Sequence, residues 1–157
     1  MSENGRFTAP GGAGANARDA GAPRPRVLVV EDQALIALAL AADLAELGCD
    51  VVGRAASGEA ALALAARLAP DTVVVDAELG GGMGGIEAAA RIKARCAPRL
   101  VFVTAEAGGP GRRRMEALGP AAILAKPYHP SELNLAVNVA ARRRLRRAPP
   151  APAAARD

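Results

Sequence analysis

The sequence predicts a single doubly wound α/β domain, a five-stranded parallel sheet carrying five helices. Three observations predict it. Short unbroken apolar runs recur five times between residues 26 and 141, stretches with helical spacing follow each of them, and Gly or Pro closes most of those stretches. An unbroken apolar run is what a strand needs when helices cover both faces of its sheet. Strict alternation of strand and helix implies crossover connections, and these make the strands parallel.

The first strand is Val27-Leu28-Val29-Val30. Residues 34–47 then place Ile36, Leu40, Leu44 and Leu47 on one stripe and end at Gly48, a residue suited to the left-handed turn that closes a helix. Val51-Val52 is the second strand, ending in Gly53-Arg54. Ser57 is placed to cap the second helix, with Leu62, Leu64 and Leu68 inside and Pro70 as its stop. Thr72-Val73-Val74-Val75 is the third strand, and the third helix spans 85–96 before Pro98. Leu100-Val101-Phe102-Val103 is the fourth strand, and its helix spans 110–118 before Gly119-Pro120. The fifth strand is Ala121-Ala122-Ile123-Leu124-Ala125. The last helix starts near Pro130-Ser131-Glu132, with proline at a favourable first helical position, and continues toward Arg146.

The 157 residues, 51% of them hydrophobic, suit one packed domain with tails and exclude disorder along the whole chain. Residues 1–25, rich in Gly, Ala, Pro and Asn, read as a disordered tail, 26–141 as the domain, and 142–157 as a basic, Pro/Ala-rich tail. The first segment lacks the apolar stretch of a secretory signal and the amphipathic period of an organelle presequence. No apolar run of the length a bilayer requires is free of charges or breaks, so no membrane partner is expected. Two cysteines, Cys49 and Cys96, form no disulfide framework or metal spacing, which points to a reducing cytoplasm. With His129 the only histidine, multi-histidine metal sites are excluded and a Ser-His-Asp triad nearly so.

The net charge of +4 belongs to the tails: residues 27–141 carry ten basic and thirteen acidic side chains. Six arginines stand in residues 142–157 against Asp157 alone. Such an arm can attract nucleic acid, membrane or acidic partners without specificity, but a solvating tail is the favoured reading. No aromatic side chain interleaves with the arginines, which disfavours nucleic acid as a partner.

Functional residues in this architecture gather at the carboxyl ends of the strands. There the sequence places Glu31-Asp32, Asp76, Thr104 and Lys126-Pro127. One acidic residue after a strand is ordinarily a turn or a helix cap, and capping is an even alternative for Asp32. Chance does not readily account for all four positions together. Carboxylates gathered this closely repel and need a counter-cation. Oxygen ligands without imidazole or thiolate select a hard ion, Mg²⁺ or Mn²⁺. Lys126 and Thr104 supply an ammonium and a hydroxyl for the oxygens of a phosphoryl group. Asp76, standing alone after its strand, suits the nucleophile, with Glu31 and Asp32 as the metal-holding pair.

At these residues the sequence resembles the receiver domain of two-component response regulators, over about residues 26–141. Val-Leu-Val-Val-Glu31-Asp32 is similar to that family's acidic pair, and Val-Val-Val-Asp76 to its phosphoacceptor strand. Phe-Val-Thr104-Ala105 resembles its hydroxyl strand, and Lys126-Pro127 its lysine-proline pair, joined in the family by a cis bond. The resemblance implies a flavodoxin-like receiver fold and phosphorylation of Asp76 by a histidine kinase or histidine phosphotransfer protein. It implies Mg²⁺ held by Glu31, Asp32, Asp76 and the backbone carbonyl of Glu78. Thr104 and Lys126 would contact the phosphoryl group, with Ala105, Glu78 and Glu106 as modulating positions.

The sequence departs from the family at three places. Ile123 stands at the switch position where the family has an aromatic ring, and Tyr128 lies two residues beyond the lysine. The loop Leu79-Gly80-Gly81-Gly82-Met83-Gly84-Gly85 is one residue longer than usual, lacks the family's proline and is expected to be mobile without a ligand. In this it resembles receivers tied to the general stress response in some proteobacteria. A Gly-rich phosphate cradle is a rival reading of that loop, but the Lys-Ser/Thr that makes such cradles specific is absent. Glu78 and Glu106, two residues beyond Asp76 and Thr104, would flank the path by which water reaches the phosphoryl group, with solvated loop acids as an equal alternative.

Too few residues follow position 141 for an output domain, so a stand-alone receiver is expected. It would act by docking a downstream protein at the face of helix 4, strand 5 and helix 5, with a homodimer as a further expectation. No enzymatic activity is expected beyond slow self-dephosphorylation. One rival is a phosphatase with an aspartyl nucleophile, for which Glu78 has the right spacing but a cap domain is lacking. The other is an unphosphorylated module binding protein or nucleic acid through Arg142, Arg143, Arg144, Arg146 and Arg147.

Overall fold

The computed structural model describes residues 24–145, with side chains through Asn138. Strands β1 (Arg26–Val30), β2 (Asp50–Ala55), β3 (Thr72–Asp76), β4 (Arg99–Thr104) and β5 (Ala122–Ala125) form one parallel sheet in the order β2-β1-β3-β4-β5. Helices α1 (Ala34–Glu46), α2 (Gly58–Leu68), α3 (Gly85–Cys96), α4 (Gly109–Ala117) and α5 (Pro130–Leu145) connect and follow the strands. The chain steps outward from β1 to β2, then returns to place β3 on the other side of β1. This reversal opens a crevice above the carboxyl ends of β1 and β3.

Alternate residues of the central strands supply two separate cores. Leu28, Val30, Val73, Val75, Leu100 and Phe102 face α2, α3 and α4, meeting Ala61, Ala65, Ile92 and Met115. Val27, Val29, Val74, Val101 and Val103 face α1 and α5, meeting Leu40, Leu44, Leu133 and Val137. Each fully buried Val, Leu or Phe stabilises by about 1.5–3 kcal/mol, so this two-sided ladder is what fixes β1, β3 and β4.

Local signals account for the element ends. Ser57 accepts a hydrogen bond from the Ala60 N–H at 3.1 Å and starts α2. Gly48 takes φ +84° just past α1, and Pro130 opens α5. The Glu132 carboxylate accepts from the His129 N–H at 2.6 Å, closing the first turn of α5.

Three expectations need correction. Strand β2 runs on through Gly53-Arg54 to Ala55, so that pair lies within the strand. Gly53 lies close to its neighbours: a Cβ on it would meet Leu68 Cδ1 at 3.0 Å, so that side chain would have to shift. In α1 the buried face is Ala37, Leu40 and Leu44, while Ile36 is 40% exposed. In α2 the buried face is Gly58, Ala61 and Ala65, and Leu62, Leu64 and Leu68 sit half-buried around it. Small residues let the helix approach the sheet, and the leucines seal the margins. Helix α5 runs through Arg142, Arg143 and Arg144 to Leu145, in line with its expected course toward Arg146. Arg146, Arg147, most of the N-terminal tail and the rest of the C-terminal tail lie outside the described residues.

Candidate functional site

The crevice is built from strand ends. Asp76 is the last residue of β3, Thr104 the last of β4, Glu31 follows β1 directly, and Lys126 follows β5. Glu31, Asp76 and Thr104 are buried, Lys126 is partly covered, and Asp32 is exposed. One carboxylate oxygen from each of Glu31, Asp32 and Asp76 lies within 4.8 Å of the others. All four strand-end positions expected from the sequence thus converge on one crevice.

Asp32 does not cap α1, whose N-cap is Gln33, with no side-chain capping bond. Its carboxylate instead accepts from the Gly80 N–H at 3.0 Å, tying the β1–α1 turn to the glycine-rich loop. Glu31 accepts from the Gln33 N–H at 3.0 Å. Asp76 uses both oxygens: one accepts from the Glu78 N–H at 2.9 Å, the other from the Lys126 ammonium at 3.0 Å. The Thr104 hydroxyl donates to Glu78 Oε1 and accepts from the Glu106 N–H at 3.0 Å. The Ala105 N–H donates to Glu78 Oε2 at 3.3 Å.

The electrostatics follow from crowding. Burial, with the neighbouring Asp76 and Asp32 carboxylates, pushes the Glu31 carboxyl up to about 7, against the pull of the Gln33 N–H. Burial also opposes charge on Asp76, but the Glu78 N–H and the Lys126 ammonium outweigh it and hold its carboxyl below the usual range. Burial likewise disfavours the charged form of Lys126, and the bond to Asp76 overcomes this and raises it. One ammonium thus serves a cluster of carboxylates, and Glu31 shows the deficit. The donor set is oxygen only, on rigid strand ends, with one member exposed. It fits a hard divalent ion that keeps part of its water shell.

The glycine-rich loop is anchored at several points. Besides the Gly80–Asp32 bond, the Met83 N–H donates to Glu59 at 3.1 Å, and the Met83 side chain lies over Gly58. Gly85, the first residue of α3, is the close approach the sequence reading missed. A Cβ there would lie 1.9 Å from the Asp76 carbonyl oxygen. The run Gly84-Gly85 ahead of Ile86 was its only sign in the sequence.

Ile123 is half-buried on the Phe102 side of the sheet, so the switch position itself carries no aromatic ring. Tyr128 lies on the opposite side, against the α1–α5 core. With Ile36, Leu40, Val103 and Pro127 it walls an apolar cavity of about 290 Å³ that opens on Glu31, Asp76 and Lys126. The Lys126-Pro127 bond is cis, as the resemblance implied.

The sheet order 2-1-3-4-5 is a doubly wound, flavodoxin-like arrangement, here with an acidic triad facing a lysine at the strand ends. The response regulator receiver domain model matches residues 27–138, and the chain belongs to that family, making it a module of two-component signalling. Among solved structures it is similar to the signal receiver domain of a modulated diguanylate cyclase from Desulfovibrio desulfuricans G20. The two are 35% identical with a TM-score of 0.73, over 79% of this chain and 99% of that one. It is also similar to the N-terminal domain of a response regulator/sensory box/GGDEF three-domain protein from Carboxydothermus hydrogenoformans. That match has 28% identity and TM-score 0.68, over 77% of this chain and 97% of the other. The response regulator domain of Thermotoga maritima CheB matches at 25% identity and TM-score 0.66, over 81% and 100%. Comparison with curated proteins gave no match.

Proposed function

We propose that the domain is a phosphoacceptor, with Asp76 taking a phosphoryl group from a phosphohistidine on a kinase or phosphotransfer protein. A carboxylate oxygen of Asp76 attacks phosphorus; the O–P bond forms as the N–P bond breaks, and the departing imidazole nitrogen keeps the electron pair. The observation that carries this reading is the triad Glu31, Asp32 and Asp76, with its three oxygens within 4.8 Å and Lys126 bonded to Asp76 at 3.0 Å. Glu31, Asp32 and Asp76, with the Glu78 carbonyl, would hold Mg²⁺ or Mn²⁺, which when bound offsets the charge of carboxylates and phosphoryl oxygens. Lys126 holds Asp76 in place and is near enough to turn its ammonium to a phosphoryl oxygen, while Thr104 offers a hydroxyl to another.

Output would pass through docking of a protein partner, or a second copy of the chain, at the face of α4, β5 and α5. Supporting this, β5 is a sheet edge, α4 carries the exposed Arg113 and Arg114, and Leu135 on α5 is 66% exposed. A working domain of 26–141 with flanking tails and a cytoplasmic setting belong to the same proposal. No helix among the described residues is long and apolar enough to cross a membrane.

The test is incubation with acetyl phosphate and Mg²⁺, followed by intact mass. A single phosphoryl adduct is expected, absent in Asp76→Asn and absent when chelator removes the metal. An adduct that persists in Asp76→Asn, or no adduct at all, refutes the assignment.

A further inference from the structure

The Thr104 hydroxyl, expected to meet the incoming phosphoryl group, is already in use, and so is the neighbouring Ala105 N–H. The Thr104 hydroxyl and the Ala105 N–H both point to the Glu78 carboxylate, one to each of its oxygens. Glu78 reaches them from two residues past Asp76, and its own N–H is bonded to the Asp76 carboxylate at 2.9 Å. The end of β3 and the turn after it therefore carry both the acceptor carboxylate and a second carboxylate seated where phosphoryl oxygens would be bound. A carboxylate shares with a phosphoryl group the features these donors read, namely negative charge and paired acceptor oxygens. The Thr104 oxygen also accepts from the Glu106 N–H at 3.0 Å and lies 3.1 Å from the Glu106 carbonyl oxygen, so the β4–α4 turn is closed around its hydroxyl.

We infer that Glu78 is a positioning residue that acts as an internal stand-in for the phosphoryl group, keeping Thr104 and the Ala105 amide turned inward until phosphorylation displaces it. The inference rests on the phosphoacceptor reading above and adds a consequence for the unmodified protein. Glu78 must leave both donors before phosphoryl oxygens can take them. The apparent affinity for a phosphoryl group is then reduced by the fraction of molecules in which the donors are free. Glu78 is an exposed loop residue, outside either core, so its replacement leaves the fold intact.

Side-chain length separates displacement from simple charge repulsion. Glu78→Ala removes both seat and charge. Glu78→Asp keeps the charge on a side chain one methylene shorter, which cannot span to both donors from the same backbone position.

The experiment uses the ¹⁵N-labelled full chain. In the absence of metal and phosphodonor, both substitutions are expected to shift the Ala105 amide proton upfield as its bond to a carboxylate is lost. Titration with beryllium fluoride in the presence of Mg²⁺ is expected to give tighter binding for Glu78→Ala and Glu78→Asp alike. A seat occupied in nine molecules of ten corresponds to a gain of about tenfold. Glu78→Gln, which keeps the reach and an acceptor oxygen, is expected to fall between wild type and alanine. An Ala105 amide unmoved by either substitution overturns the inference. So does tighter binding in Glu78→Ala but not in Glu78→Asp, which would assign the effect to charge alone. Binding by wild type with no gain in either variant overturns this inference and leaves the phosphoacceptor reading standing. Binding by no variant overturns both.

Discussion

Gly85→Ala sets local propensity against tertiary contact, and the two predict opposite signs. Gly85 opens α3 with a backbone angle open to any residue, and alanine within a helix is favoured over glycine by about 1 kcal/mol. The added Cβ, however, would sit 1.9 Å from the Asp76 carbonyl oxygen, 2.9 Å from its carbon and 3.1 Å from Ala77 Cα. All three are backbone atoms at the end of a fully buried strand, so no side chain can rotate away. Either α3 retreats from the sheet or the Asp76 peptide moves, and overpacking of this kind costs about 1–3 kcal/mol or more. We expect a net loss of about 1–3 kcal/mol in urea unfolding, with the slope unchanged. Gly111→Ala in α4 is the control, because a Cβ there meets nothing within 4 Å, and a gain of up to about 1 kcal/mol is expected. The strain falls on the peptide that carries Asp76, so Gly85→Ala should also weaken Mg²⁺ binding, while Gly111→Ala leaves it alone. A Gly85→Ala protein as stable as wild type would refute the steric reasoning.

Two other outcomes follow from groups held at a disadvantage. The folded Glu31 carboxyl keeps its proton up to about pH 7, whereas an unfolded one releases it near 4.5. Between those values the folded state binds more protons, so this group makes stability fall as pH rises. The metal-free protein should lose about 1–2 kcal/mol between pH 5 and 8 relative to Glu31→Gln, and Mg²⁺ at pH 8 should restore it. A pH profile unchanged by Glu31→Gln would count against this. Asp76 and Lys126, shifted down and up respectively, titrate outside that window. The Thr72 hydroxyl at the start of β3 is fully buried with no hydrogen-bond partner among the described residues. Thr72→Val keeps the shape and removes the stranded polar atom, so a gain of about 1 kcal/mol in thermal or urea unfolding is expected. A loss would mean that the hydroxyl has a partner in solution.

How much was legible before the fold depended on how far each signal reaches along the chain. Strand β3 announced itself through three consecutive valines, α2 through Ser57 and Pro70, and α5 through Pro130, all signals within a few residues. Strand β2 reads short because its apolar run stops at Val52, whereas the strand continues to Ala55 with Leu68 packed close to Gly53. Ile36 was placed inside by its spacing, yet α1 is rotated so that Ala37 takes the buried position. An apolar stripe defines a face to within about one residue step of 100°, and packing against α5 and the sheet settles the rest.

The sequence by itself determined the alternation of strand and helix and the residues at the strand ends, because a strand and the residue after it are neighbours along the chain. Only the tertiary structure decided what those residues meet. Lys126 reaches Asp76 across 50 residues and Asp32 reaches Gly80 across 48, while Glu78 takes Thr104 across 26. Such contacts depend on sheet order, on register and on how closely α3 approaches the β3 backbone. Those are set by two cores packing at once, and no local pattern of residues encodes them.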